Sequence, residues 1–506
     1  AGRVGRSSDR IETNAPRRPG LDTRAKARYS TSGPSTCALL GALLDLRLGQ
    51  RPPAPHTLFF MNRLDSRGFR LGFATFVLFT GIAGDFWRNS FSWYGYGVFV
   101  VVIAVISIVI LVHNRARFRV GSLPYPLLAF LALGFLSIAW SFYPGFTVLG
   151  AVVLLLTTAS AVSIAVTVTW PELLIVLGWV FRLVLGLSFL FEFVVAAIIR
   201  TPIYPVWVTP ESNPAKLLYW SRDLLFQAGK IQGIVGNSSL LAMAALLGFI
   251  VFSIQLASKT VRRGWGWPWL GVALITIALT RSATVLVALA AVIVVTLAAL
   301  LVRRARTPRG RAYAYGGIVV VAAAVAVLAF SAQGRVLALL GKSSDFTGRA
   351  IIWQEVITLA QQRPTAGWGW LGYWIVWIAP FNTLKKAGGV QPPHAHDAWL
   401  DLWLQVGVIG VVVFGALVLA TLVRSWLIAV DPVVTSPRDP GSHVWLSLLP
   451  LLVLTAQLVQ SIAESRILLE GGLMLLVIWA VKTKTSPLGL EPVEPELSPA
   501  TLRSRP

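Results

Sequence analysis

The stretch PPHAHDAWLDLWLQVGVIGVVVF, Pro392 to Phe414, sets two histidines and two aspartates directly against a long apolar run, in a chain with only five histidines. A histidine of ordinary proton affinity can take a proton from an attacking hydroxyl near neutral pH, and a neighbouring carboxylate stabilises its charged form. Pro392 and Pro393 keep the preceding backbone extended, and Asp397 is a favourable N-cap for a helix beginning at Ala398. His396 then stands just before the cap, where the helix N-terminus is electropositive, and His394 lines the same loop. Taken alone, the pair reads equally well as two ordinary interfacial residues. A two-histidine metal site on one helix calls for i, i+3 or i, i+4 spacing, which this pair lacks, so neither a metal nor a cofactor is expected.

Three further stretches supply cations. ALTRSATVL places Arg281 between two apolar runs, where a cation is costly unless it meets an anion or a water-filled cavity. FTGRAIIWQEV places Arg349 at the start of an amphipathic segment with Ile351, Ile352, Val356 and Leu359 on its apolar side. GKIQGIVGNSSLLA sets Lys230, Asn237 and Ser238 where another apolar run opens, and Arg222 lies shortly before it. Singly, each cation is of the kind that snorkels to an interface. Together beside one histidine they point to a bound anion, and the anion at hand at a membrane surface is a lipid phosphate.

These residues need a bilayer-spanning scaffold. Apolar residues make up 56% of the 506 and charged residues 13%, a balance that a water-soluble domain could not hide. Apolar runs of roughly 17 to 25 residues recur without alternation, which implies an all-α integral membrane protein and not a barrel. About twelve transmembrane helices follow, among them Leu71–Trp87, Gly233–Ala257 and Ala398–Trp426. The basic residues behind the net charge of +23 fall in clusters at alternate loops, so they set orientation in the membrane and no nucleic-acid partner is expected. Both termini then face the cytoplasm, and the candidate residues share the outer face. Tryptophans crowd the outer loops, as in an aromatic belt. Cys37, the one cysteine, excludes an internal disulfide. The expected organisation is an extension over 1–60, helices 1–9 over 61–331, an extracytoplasmic loop over 332–397, helices 10–12 over 398–483 and a cytoplasmic tail over 484–506.

On these motifs the chain resembles the bacterial O-antigen ligase and polymerase superfamily. Its histidine signature is similar to HDAWLDLWLQVGVIG, which supplies His396, Gly407 and Gly410, although Asp397 stands where an amide or hydroxyl is usual. Arg349, Trp353, Gly367 and Gly369 match its Gly-Arg…Trp segment and Gly-x-Gly turn, and Arg281 matches its Thr-Arg element. GKIQGIVGNSSLLA is the weakest match, with Ser238 and Ser239 in place of Pro and Asn. The resemblance implies a GT-C-like glycosyltransferase with a large extracytoplasmic loop between the ninth and tenth helices. It implies a polyprenyl (undecaprenyl) diphosphate-linked glycan donor, a glycan or lipid acceptor, inversion, no metal, and action at the outer face of the cytoplasmic membrane. Arg281, Arg349 and Lys230 would bind the diphosphate and His396 would deprotonate the acceptor, with Asp397, His394, Asn237 and Arg222 in support. The charge on Asp397 would raise the proton affinity of His396. A transporter or lipid flippase, and a peptidoglycan polymerase of the shape-and-division family using Asp397 or Asp401, stay open as alternatives; so does a protein glycosyltransferase of the same superfamily.

Overall fold

The computed structural model describes residues 64–488, apart from 116–118, 210–214, 216–217, 228, 332–348, 386–389, 434–441 and 487, and of residues 325–331 it describes the backbone alone. The extension over 1–60, Cys37, part of the expected outer loop and most of the tail lie outside the described residues.

Thirteen α-helices are described: α1 (Arg67–Ile82), α2 (Gly84–His113), α3 (Tyr125–Leu136), α4 (Pro144–Thr167), α5 (Trp170–Val194), α6 (Ser238–Ala257), α7 (Arg263–Thr280), α8 (Ala283–Arg304), α9 (Pro308–Ser331), α10 (Arg349–Gln362), α11 (Ala398–Val430), α12 (Leu449–Ser461) and α13 (Glu470–Thr485). Six of them, α2, α4, α5 with its continuation to Ile199, α6, α8 and α11, are long and apolar enough to cross a membrane. The first expected span, drawn to Trp87, is split: α1 stops at Ile82, and Asp85 and Arg88 lie in the first turns of α2, held to each other side by side. α6 begins at Ser238 and not at Gly233, because Asn237 caps the N–H groups of Ser239 and Leu240.

Hydrogen bonds between helix ends define two ends of the bundle. At one, Lys482 of α13 reaches Val168 O beyond α4, Gln255 of α6 reaches Leu174 O of α5, and Arg424 of α11 reaches Ala480 O of α13. There too Arg303, near the end of α8, donates to Ala429 O of α11 and to Ser447 Oγ before α12. Since α8 packs along α12 and is tied there by its last turn, its first turn, and Arg281 before it, lie at the opposite end. That end also carries the start of α2, the cap of α11 and the turn between α12 and α13. Two charged residues inside the bundle are partnered: Arg182 donates to Gln255 Oε1 at 2.8 Å, and Glu192 accepts from Gln232 N, Gly233 N and Ser221 Oγ.

α11 is broken where it passes the site. Val406 and Gly407 leave helical geometry, Gly407 with φ 67°, and the released backbone groups pair with the loop before it. Leu404 O and Gln405 O accept from Trp368 N and Gly369 N, while Val408 N and Ile409 N donate to Pro364 O and Thr365 O. The two backbones touch so closely that a Cβ on Gly407 would stand 2.0 Å from Thr365 O, and one on Gly367 2.5 Å from Gln405 O. The glycines of the sequence signature are therefore the contact at which loop and broken helix fit together.

The loop tryptophans differ from the expected belt. Trp368, Trp370 and Trp374 are buried, and Trp368 and Trp374 pack with Phe381, Tyr143, Val356 and Leu404 into a small core of their own; Trp377 is exposed. On α10 the buried residues are Ile352, Val356 and Ala360, a strict i, i+4, i+8 stripe, which leaves Ile351 facing outward in contrast to the sequence reading.

Candidate active site

Asp397 caps α11, its Oδ1 accepting from Trp399 N at 2.8 Å and Leu400 N at 2.9 Å. The residue before it, His396, takes a left-handed backbone with φ 54°. Its N–H donates to His394 Nδ1 at 3.1 Å, and the two rings lie 4.2 Å apart. The histidines are thus arranged by a tight turn and not by helical spacing.

The group that meets His396 is Glu464, in the turn between α12 and α13. His396 Nδ1 and Glu464 Oε2 are 3.0 Å apart, and Arg349 Nη2 donates to Glu464 Oε1 at 2.8 Å. Burial alone would raise the Glu464 pKa, but His396, by charge and by hydrogen bond, and Arg349 outweigh it and hold the carboxyl at about 2. An ionised carboxylate only accepts, so the proton between them sits on Nδ1, and in neutral His396 Nε2 keeps its lone pair. This is the arrangement of an imidazole oriented by a carboxylate. Burial, and next the neighbouring His396, push His394 well below the usual histidine range, so it is neutral.

His394, His396 and Glu464 bring candidate metal-ligand atoms within 4.8 Å of one another. Both Nδ1 atoms and both carboxylate oxygens already have protein partners, and a cation there would face the Arg349 charge on the same carboxylate.

A second polar cluster adjoins the first. Arg466, two residues after Glu464, donates to Tyr373 OH at 3.0 Å, Glu470 Oε2 at 2.8 Å and Asp85 Oδ2 at 2.9 Å, while Arg88 bonds both Asp85 and Glu470. The Tyr373 ring is 6.3 Å from that of His394. Two cations and two anions balance here, so the cluster ties α2 and α13 to the site without adding net charge.

The structure thus brings together His396, His394 and Arg349 from the sequence reading and adds Glu464, Arg466, Tyr373 and the Asp85–Arg88–Glu470 group. The other candidates stand apart among the described residues. Arg281 is exposed at the left-handed C-cap of α7, with φ 49°. Lys230 is exposed, Arg222 donates to Gln232 Oε1 at 3.0 Å, and Asn237 is a helix cap. Glu464 had one legible signal, a charged ESR gap between two apolar runs on the face where the histidines fall.

Asp397 has a different part from the one its charge suggested. Its carboxylate faces backbone N–H groups, and burial raises its pKa against their pull; the anion at His396 is Glu464. Asp397→Asn is therefore expected to keep turnover within about twofold, because asparagine caps equally well, while Asp397→Ala should cost ~1 kcal/mol of stability. Thermal melts and turnover of both purified variants check this; an inactive asparagine variant would restore the aspartate to the chemistry.

Six helices long and apolar enough to cross a membrane, with a histidine–carboxylate pair and an arginine at one end of the bundle, define the class: a multi-pass membrane protein with a polar cluster at one end. Residues 268–415 match the family described as O-Antigen ligase, and over that region the chain is O-antigen ligase-like. A stretch of 145 residues is 28% identical to the Exopolysaccharide production protein ExoQ of Rhizobium meliloti (strain 1021), covering 28% of this chain and 32% of that protein. The match thus spans about a third of the length of that relative. Arg281, Arg349, His394, His396 and Asp397 fall inside the family-matched region; Glu464 and Arg466 fall outside it.

Proposed function

We propose that the protein is a polysaccharide ligase or polymerase that moves a glycan from a polyprenyl diphosphate carrier to an acceptor hydroxyl at the outer face of the cytoplasmic membrane. The observation that carries this is the 3.0 Å pairing of His396 Nδ1 with an ionised Glu464, which leaves Nε2 as the base. The acceptor O–H gives its proton to Nε2 as its oxygen attacks the anomeric carbon. The bond from that carbon to the diphosphate breaks, the configuration inverts, and the polyprenyl diphosphate leaves. Arg349 stands at the carboxylate with a guanidinium that can also meet the departing charge. Arg281 and Lys230, exposed at the same end, would draw the donor in, with His394 and Arg222 shaping its surroundings. An open, mostly apolar cleft of about 580 Å³ beside Phe142, Tyr143, Phe146 and Leu149 suits part of the prenyl tail.

Reconstitution with a panel of lipid-linked glycans tests the reading: transfer should persist in EDTA, and a ladder of products would mean polymerisation, a single band ligation. No transfer from any diphosphate-linked donor would overturn it.

In this reading the twelve described helices other than α10 cross the bilayer, with the end holding Arg303 and Arg311 in the cytoplasm. Cysteines placed at 349 and 396, with Cys37 removed, should react with an impermeant reagent in intact cells, and cysteines at 303–311 only after permeabilisation. The reverse pattern would put the site on the wrong side for an exported glycan.

Arg349→Ala should lose most activity, and Arg349→Lys should recover only part, because an ammonium cannot span carboxylate and phosphate as a planar fork does. Arg281→Ala should act chiefly on the apparent affinity for donor. A fully active Arg349→Lys enzyme would make Arg349 a structural tie.

A further inference from the structure

We propose that Asp401 is a positioning residue for His396, fixing the histidine turn and the glutamate turn relative to each other from inside the bundle. The inference rests on the reading of His396 as the base. Asp401 lies in the first turn of α11 and is 1% exposed. Its Oδ2 accepts the N–H of Ala395, between the two histidines, at 3.1 Å, and also accepts the hydroxyl of Ser465, the neighbour of Glu464. One carboxylate oxygen therefore joins two turns far apart in the chain, Ala395 in one and Ser465 in the other, and no backbone hydrogen bond among the described residues does so.

The same residue is held at its carbonyl as well, since Ala395 O accepts from Trp353 Nε1 of α10 at 3.0 Å. This double hold falls on the residue before His396, whose left-handed φ of 54° is one that side chains with a Cβ avoid. Released from it, the turn would relax and carry Nδ1 away from Glu464. Stability alone explains Asp401 poorly. Its Oδ1 is buried without a hydrogen-bond partner among the described residues, a costly arrangement where an apolar side chain would fit a helix of this kind.

The test uses the full chain in proteoliposomes with a polyprenyl diphosphate-linked glycan, comparing Asp401→Leu, Asp401→Asn and Ser465→Ala, alone and combined with His396→Ala. Asp401→Leu should lower kcat by about 30-fold or more with donor KM within about twofold, since misplacement by a fraction of an ångström acts on the chemical step. Asp401→Asn keeps an acceptor for Ala395 N–H and should recover to within about threefold of wild type. Ser465→Ala should cost a few-fold in kcat. On the His396→Ala background none of these changes should reduce the residual rate further, because there is no longer a base to position. Unchanged kcat in Asp401→Leu, or an equal further loss on that background, overturns the proposal. Should the leucine variant fail to accumulate, Ser465→Ala decides, and its unchanged kcat overturns the proposal equally. An inactive His396→Ala beside a normal Asp401→Leu sinks this inference alone, whereas a fully active His396→Ala sinks the reading beneath it as well.

Discussion

His396→Ala is expected to lower turnover by on the order of 10² to 10⁴, the usual worth of a general base, while binding of the diphosphate donor persists through the arginines. Nδ1 is engaged with Glu464 at 3.0 Å, so Nε2 is the nitrogen that can meet a hydroxyl, and no other described side chain bonded to this carboxylate can take up a proton near neutral pH. His394→Ala should cost less than about tenfold: it removes a neutral side chain that steadies the turn through His396 N and leaves the base in place. Steady-state kinetics with donor-binding measurements separate the two. Equal losses from both variants would mean that the histidines act as one unit.

Glu464→Gln should reduce turnover on the order of 10²-fold, although the side chain keeps its shape. The amide neither fixes the proton on Nδ1 nor stabilises the imidazolium that forms when the acceptor gives up its proton, and it releases Arg349. The same carboxylate gives a pH signature. Its folded pKa of about 2 lies below the ordinary 4.5, so its contribution to stability is complete above about pH 4.5 and is lost as pH falls toward 2. Wild-type protein should therefore lose melting temperature over that window more steeply than Glu464→Gln. Parallel acid melts of the two proteins, with turnover near wild type in the variant, would reduce Glu464 to a structural anion.

Much of this was legible in the chain itself, for physical reasons. Apolar runs must be helical in a bilayer because every backbone group has to be satisfied internally, so the helices could be placed from composition. The cap at Asp397 and the start of α11 at Ala398 follow from a side chain that competes for free N–H groups. The tertiary partners were not legible. Glu464 lies 68 residues from His396, and nothing local marks it beyond a charged gap between apolar runs. Asp397 misled because it is adjacent in sequence to His396, whereas the left-handed turn and the cap point its carboxylate to backbone N–H groups. The tryptophans misled because an aromatic near a membrane surface can face lipid or line a loop core, and only the packing of Trp368 and Trp374 on Phe381 and Val356 decides. The glycines of the signature identify a motif from sequence, but their reason, the contact of a broken α11 with the loop at Thr365, needs the fold.

In the proposed reaction a glycosidic bond is made at the expense of a bond to diphosphate. The most direct measurement is a single turnover in sealed proteoliposomes containing a polyprenyl diphosphate-linked glycan and an acceptor, following free polyprenyl diphosphate and the new bond together. One carrier should be released for each bond formed, and both signals should vanish in His396→Ala. A glycan that crosses the bilayer still attached to its carrier, with no carrier set free, would contradict the claim and mark the protein as a transporter.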